Sequence, residues 1–270
     1  MIDKAVILAR GRGTRMSRQD SETELDERQA AAADSGVKAM IPIDRPFLDY
    51  VLSALADAGY RRVCLVVGPE HQEIQDYYGR EIQPQRLEIE FAIQQEANGT
   101  ADAVAAAESF ADGDYFVMLN SDNYYPLEVL DALRRQEGSA VALFEKDALL
   151  EGSNIDADRV ARFAIGQLDD SGCLKQIIEK PDEATLAAMP RPLWVNMNCW
   201  RLGPSIFDAC RVIEPSVRGE YELPTAIQHV IDVLSEPFHV VRMHVGVLDL
   251  TSRNDIAPVT AELADVKVDL

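Results

Sequence analysis

Apolar positions along the chain fall into two patterns. Unbroken blocks at residues 5–9, 62–67 and 115–119 read as strands buried on both faces, whereas Phe47, Leu48, Val51, Leu52, Leu55 and Ala58 recur at helical spacing and stop at Gly59. Helices are expected likewise over 70–78, 100–110 and 127–135, and Leu87, Ile89, Phe91 and Ile93 alternate as a further strand. This alternation of strand and helix implies right-handed crossovers and a mainly parallel sheet covered on both faces, with ligands gathered beyond the C-terminal strand ends. The second half is richer in strands, expected at 140–145, 160–168, 174–179, 193–201, 240–244 and 246–250, with helices at 204–210, 225–234 and 254–264. The sheet should therefore continue with antiparallel members, which makes the expected architecture a Rossmann-like, doubly wound α/β fold around a mixed sheet. No internal repeat and no Gly-, Ser- or Pro-rich linker divides the chain. Residues 1–270 are thus expected to form a single domain, with a polar insertion at about 17–36 that carries one helix at 25–33.

Composition narrows the partners. A chain of 270 residues with 47% hydrophobic content can bury a sizeable core. Its net charge of −20, from 46 acidic against 26 basic side chains, repels nucleic acid and anionic membrane surfaces, so an anionic ligand needs a local basic pocket. No apolar run approaches a membrane span. Cys64, Cys173, Cys199 and Cys210 show no C-x-x-C spacing, and the chain opens into a strand instead of a signal peptide, so free thiols in the cytoplasm are expected. His71, His229, His239 and His244 form no metal-type cluster, which argues against zinc chemistry.

Candidate chemistry begins where the first strand breaks, in Lys4-Ala-Val-Ile-Leu-Ala-Arg-Gly-Arg-Gly-Thr-Arg-Met16. Gly11 and Gly13 let successive backbone N–H groups turn toward one point, and Arg10, Arg12 and Arg15 add positive charge, so the loop suits a polyphosphate. It is not a P-loop, since no Gly-Lys-Ser/Thr follows, and Met16 stands where a dinucleotide fingerprint has its third glycine. Taken alone, the glycine pair serves a simple turn equally well.

Asp122 follows the strand at 115–119, on the rim where such sheets bind ligands, and could hold Mg²⁺ or merely cap a turn. A second acid, Asp249, lies inside a late apolar strand, where a carboxylate is costly without a cation or hydrogen bonds. Two such acids facing a phosphate loop make a metal site the economical reading. Lys180, in Ile178-Glu-Lys-Pro181, is either a ligand contact or an ordinary strand-end charge. Gln94 ends an alternating strand shortly before Gly99; its amide can read a nucleobase edge, or simply face solvent. The acidic runs 20–27 and 169–170 read as solvated surface.

Together these segments resemble the sugar-1-phosphate nucleotidyltransferases, over residues 5 to about 255. Leu8, Gly11, Gly13, Thr14, Arg15 and Lys38, the last in Lys38-Ala-Met-Ile-Pro-Ile43, match the signature that grips the nucleoside triphosphate. Gln94 with Gly99 matches the base-reading pair, Asp122 and Asp249 the two metal acids, and Glu179 and Lys180 the contacts to sugar hydroxyls and sugar phosphate. Arg218-Gly-Glu-Tyr-Glu-Leu223 resembles a further family stretch.

Departures accompany the matches. Arg10 replaces a small residue, Ala164 and Asn198 stand where glycines are usual, Val247 and Thr251 replace the residues flanking the second acid, and the polar excursion between Arg15 and Lys38 is longer than the family's, as a lid would be. The resemblance implies a nucleotidyltransferase-type fold and Mg²⁺-dependent conversion of a nucleoside triphosphate and a sugar 1-phosphate to a nucleotide sugar and pyrophosphate. Arg15 and Lys38 would then be the catalytic cations. Glucose 1-phosphate with UTP or dTTP is the first expectation. The segment Gly99-Thr-Ala-Asp-Ala-Val104 resembles ADP-glucose-forming members instead. A non-catalytic sugar-nucleotide sensor is a reading of another class; a glycosyltransferase fits less well, since Ser121-Asp122-Asn123 is not a D-x-D motif. Homo-oligomerisation is compatible with the sequence but not encoded in any motif.

Overall fold

The computed structural model describes residues 1–11, 13–18 and 25–270. Its strands in chain order are β1 (Lys4–Leu8), β2 (Arg62–Val67), β3 (Glu88–Ile93), β4 (Phe116–Asn120), β5 (Asn123–Tyr124), β6 (Ser139–Glu145), β7 (Ile165–Leu168), β8 (Leu174–Ile178), β9 (Trp194–Leu202), β10 (Phe238–Met243) and β11 (Leu248–Asp249). Among the described residues a nine-stranded sheet runs β10-β6-β9-β4-β1-β2-β3, with β7 and β8 joined through β9. Neighbours β2–β3, β1–β2, β1–β4 and β6–β10 are parallel, and β9 lies antiparallel to both β4 and β6. The mixed, mostly parallel α/β sheet is the one expected.

Alternation along the central strands assigns each face its own core, as the two-residue period of a strand requires. In β1, Ala5 and Ile7 join one core and Val6 the other; in β2, Val63, Leu65 and Val67 oppose Cys64 and Val66. Helices Phe47–Asp57, Leu127–Arg135 and Ile256–Leu263 pack on the first face, and Thr100–Ala106, Ser205–Val212 and Leu223–Asp232 on the second. Each fully buried Val, Leu or Ile contributes on the order of 1.5–3 kcal/mol, so these two apolar layers fix the strand order that positions the loops.

Several elements depart from sequence-based expectation. The expected strand at 160–168 starts only at Ile165, because Asp156 caps a short helix, Ala157–Val160, accepting from the Arg159 backbone N–H at 2.8 Å. The expected strand 246–250 shrinks to β11, which leaves the main sheet and pairs antiparallel with β5. The helix expected over 100–110 breaks at Ala107, and that at 70–78 tightens to Gln72–Asp76 followed by a π-helical turn, Tyr77–Glu81. Helices Lys146–Glu151 and Glu183–Ala188 were hidden by weak periodicity.

Within the polar excursion, a helix runs over Glu27–Ser35, opened by an Asp26–Gln29 capping box and closed by left-handed Gly36. Gly13 packs so closely on that cap that a Cβ there would lie 2.0 Å from the Gly36 carbonyl oxygen. Buried Arg253 ties the same corner together, donating from Nε to the carbonyls of Met16 (3.0 Å) and Arg18 (2.8 Å) and pairing with Asp34. The described part of the excursion is thereby docked on the glycine loop. Arg12 and the acidic stretch 20–24 lie outside the described residues.

Candidate active site

Parallel pairing of β1 with β4 sets Leu8 opposite Asn120, so the loops that follow both strands open on one rim. A cleft of about 400 Å³ lies there, lined among others by Leu8, Arg10, Gly11, Lys38, Gln94, Gly99, Asn120, Ser121, Asp122, Glu179, Asn198, Arg218 and Glu222. Seven of the sequence-predicted residues therefore share it: Leu8, Gly11, Lys38, Gln94, Gly99, Asp122 and Glu179. Gly13, Thr14, Arg15, Lys180 and Asp249 are not on its lining. Gly13 is buried beneath the loop, while Thr14 and Arg15 are exposed on the turn beyond it. Lys180 is exposed with a positive φ of 43°, next to cleft-lining Glu179 and within electrostatic reach of Glu222.

Lys38 enters from a 3₁₀ turn, Lys38–Met40, and its ammonium Nζ lies 2.7 Å from Asp122 Oδ2. The two side chains are only 14% and 21% exposed, so the charges meet largely out of water. Behind Asp122, its carbonyl accepts from the Leu250 N–H at 2.8 Å, and β11 places Asp249 directly opposite Asn123. The two acids, remote in sequence, are thus neighbours. Asn123 Nδ2 donates to Asp249 Oδ2 (3.2 Å), and Asn154 brackets the Asp249 backbone, with both N–H and C=O bonded to its amide at 2.8 Å. Burial pushes the Asp249 carboxyl above its ordinary range, and the negative charge of Asp122 pushes the same way.

Arg159 answers that charge. Its Nη2 lies 2.6 Å from Asp249 Oδ1 and its Nη1 2.5 Å from Asp255 Oδ1. Sequence reading did not reach Arg159, Asn154 or Asp255, because nothing local marks an ion pair formed between segments some ninety residues apart. The cap at Asp156 and the Ser252–Asp255 capping box were the readable signals near them.

At the other end of the cleft, Gln94 is 5% exposed and its Nε2 donates to the Gly99 carbonyl (3.0 Å) and to Asp102 Oδ2 (2.7 Å). A solvent-facing glutamine is excluded, and with both donors engaged the amide oxygen is the group left to meet a ligand. Gly99, at φ 115°, lies against Tyr221, where a Cβ would come within 2.4 Å of the carbonyl oxygen. Hydrogen bonds Tyr221 N–Asn98 O (2.7 Å) and Ala101 N–Tyr221 O (2.9 Å) fasten the 218–223 stretch to this wall. Arg10 turns from the cleft centre toward its edge, bonding the Gln94 carbonyl (2.6 Å) and Glu70 (3.0 Å), and holds the Glu70 carboxyl below its ordinary range. Asn198 adopts φ 59°, a glycine-type conformation, which accounts for a family glycine at that point. Partial desolvation within the cleft, then the charge of Glu222, raises the Glu179 carboxyl.

Among the described residues no group of three or more His, Cys, Asp or Glu could hold a metal. The pair Asp122 and Asp249 nevertheless suits Mg²⁺, which binds through one or two carboxylates and completes its shell with water and phosphate. No described helix is long and apolar enough to cross a membrane.

Known proteins resemble the chain over this whole region. A family model described as nucleotidyl transferase matches residues 33–250. A UTP–glucose-1-phosphate uridylyltransferase of Haloferax volcanii is 30% identical over 229 residues, covering 84% of this chain and 83% of that protein. A glucose-1-phosphate thymidylyltransferase of Streptomyces antibioticus is 31% identical over 232 residues, covering 85% of this chain but 57% of that longer protein. Among solved structures, a UDP-glucose pyrophosphorylase complexed with UDP-glucose superposes with a TM-score of 0.72 at 19% identity, over 99% of this chain and all of that one. A UDP-glucose pyrophosphorylase from Acinetobacter baumanii gives 0.73 at 20%, over 99% and 96%. At those identities the superpositions establish the fold.

Proposed function

The chain belongs to the nucleotidyl transferase family, and from that membership we propose that it converts a nucleoside triphosphate and a sugar 1-phosphate to a nucleotide sugar and pyrophosphate. The observation that carries this reading is the meeting of Lys38, Asp122 and the Asp249 bridge at the rim of a cleft shared by Gly11 and Gln94. A phosphate-gripping group, a metal-type acid and a base-reading amide then lie along one groove.

In the reaction a sugar-phosphate oxygen displaces pyrophosphate from the α-phosphorus in line. That oxygen is already ionised at neutral pH, so no general base is required and the protein's work is positioning and charge neutralisation. Lys38 is placed to leave Asp122 for the triphosphate and hold its oxygens. The backbone around Gly11 offers N–H groups to the same phosphates. Gln94 presents its amide oxygen to a base donor such as the N3–H of uracil or thymine, which favours UTP or dTTP. Glu179 accepts from sugar hydroxyls, and Arg218, held by Glu222 at 2.9 Å, supplies positive charge on the same side. Arg15 and Lys180, both exposed, would add further positive charge for the phosphates. Asp122 and Asp249 would hold Mg²⁺, which when bound offsets charge between the two phosphates.

The test is a matrix of five nucleoside triphosphates against several sugar 1-phosphates, read by pyrophosphate release. Glucose 1-phosphate with UTP or dTTP is expected to give the highest kcat/KM. A dominant ATP column would transfer the assignment to ADP-glucose formation. Nucleotide uptake in calorimetry without pyrophosphate from any pair would replace the enzyme by a binding protein on this fold.

A further inference from the structure

The two acids differ in what neutralises them. Asp122 faces Lys38, a single ammonium on a flexible stem. Asp249 faces one arm of Arg159, whose other arm is fixed on Asp255. Asp255 is itself committed: its Oδ2 accepts from the Thr251 N–H (3.0 Å), the Ser252 N–H (2.6 Å) and the Ser252 hydroxyl (2.9 Å). Arg159 is therefore anchored at one end and presents the rest of its guanidinium to Asp249. The pair is 21% and 10% exposed, so solvent screens it little.

We propose that Arg159 is a resident counter-ion that competes with a divalent cation for Asp249, and so sets the site to take its cation together with the triphosphate instead of holding one beforehand. The triphosphate and the divalent cation rest on the nucleotidyl-transfer reading; the Arg159–Asp249 ion pair does not.

Charge counting gives the direction. Asp122, Asp249 and Asp255 bring three negative charges, and Lys38 and Arg159 two positive ones. A divalent cation meeting this set finds little net attraction, and both Asp249 carboxylate oxygens already accept, Oδ1 from Arg159 and Oδ2 from Asn123. A triphosphate arriving at the same rim adds negative charge and draws Lys38 away, so cation and nucleotide favour each other. Arginine suits the task because its planar fork spans two carboxylates and stays charged at every accessible pH. A lysine at 159 would keep the charge but offer it from a single atom without the fixed fork.

The experiment is a Mn²⁺ titration of the full chain without nucleotide, followed by electron paramagnetic resonance of free Mn²⁺ and by calorimetry. Wild type, R159M, R159K and R159M/D249N are compared. R159M is expected to bind Mn²⁺ roughly tenfold tighter than wild type, R159K roughly threefold tighter, and the double variant no tighter than wild type. In a parallel melt, R159M should lose melting temperature and regain more of it with Mn²⁺ than wild type gains. Equal Mn²⁺ affinity of R159M and wild type overturns the proposal, as does a gain that survives D249N. If R159M does not fold, R159K decides by the same comparison, and unchanged affinity overturns the proposal. No sugar or nucleotide enters these measurements, so an absence of pyrophosphate release in the substrate matrix would sink the reaction and leave this result readable.

Discussion

The rim after β1 and β4 and the wall around Asp249 carry the same kind of residue and are built in opposite ways. At the rim, adjacent parallel strands end together, their loops open into one cleft, and among the described residues the ion-pair partner of Asp122 is Lys38. At the wall, Asn123, Asn154, Arg159 and Asp255 converge from separate segments, and every polar atom of Asp249 is engaged. The first arrangement leaves a charge available to a ligand; the second makes the charge part of the fold. Acids of one type can therefore divide into one left open to a ligand and one bound into the structure.

The sharpest separation is expected from Asp122→Asn. It should lower pyrophosphate release on the order of 10² to 10³ fold, as for a lost electrostatic contact in a transition state, with a melting temperature within about 2 °C of wild type. Asp249→Asn should instead move both readouts. Pyrophosphate release should fall about 10² fold, and denaturant unfolding should show a loss of about 3 kcal/mol, the low end for breaking a buried pair because Arg159 keeps Asp255. An Asp249→Asn protein as stable as wild type would erase the contrast between rim and wall.

The glycine loop repeats the contrast within a few residues. Gly13→Ala, at φ 54° and against the Gly36 carbonyl, should cost about 2 kcal/mol of stability, read by denaturant unfolding. Gly11→Ala has nothing among the described residues within 4 Å of the new Cβ and should stay within about 0.5 kcal/mol, while still weakening triphosphate binding in calorimetry if the backbone approaches the phosphates there. The smallest effect is expected from Arg10→Ala. It frees the Gln94 carbonyl and should shift the ratio of kcat/KM between UTP and ATP by less than about tenfold, with about 1 kcal/mol of stability lost.

Legibility followed the same division. Strand β1, the loop after it, Asp122 and the helix Phe47–Asp57 could be read because hydrophobic runs and glycine positions report burial and turns residue by residue. Lys38 came from motif resemblance and Gln94 from its place at a strand end as well, and the fold brings both to the cleft: a 3₁₀ turn aims one at Asp122, and the end of β3 buries the other. Thr14, Arg15 and Lys180 matched the motif equally well but stand off the cleft lining. A motif records which residues a loop uses, not the rotation that brings each one inward.

The amino-acid pattern by itself determined the alternating α/β architecture, both apolar faces of the sheet and the anion-suited loop, since all of these depend on spacings within one segment. Only the tertiary structure decided that β11 would leave the main sheet for β5, that Gly13 would rest on Gly36, and that Arg159 would span Asp249 and Asp255. Such contacts join segments distant along the chain, and their geometry exists only once the strand order has placed both partners within reach.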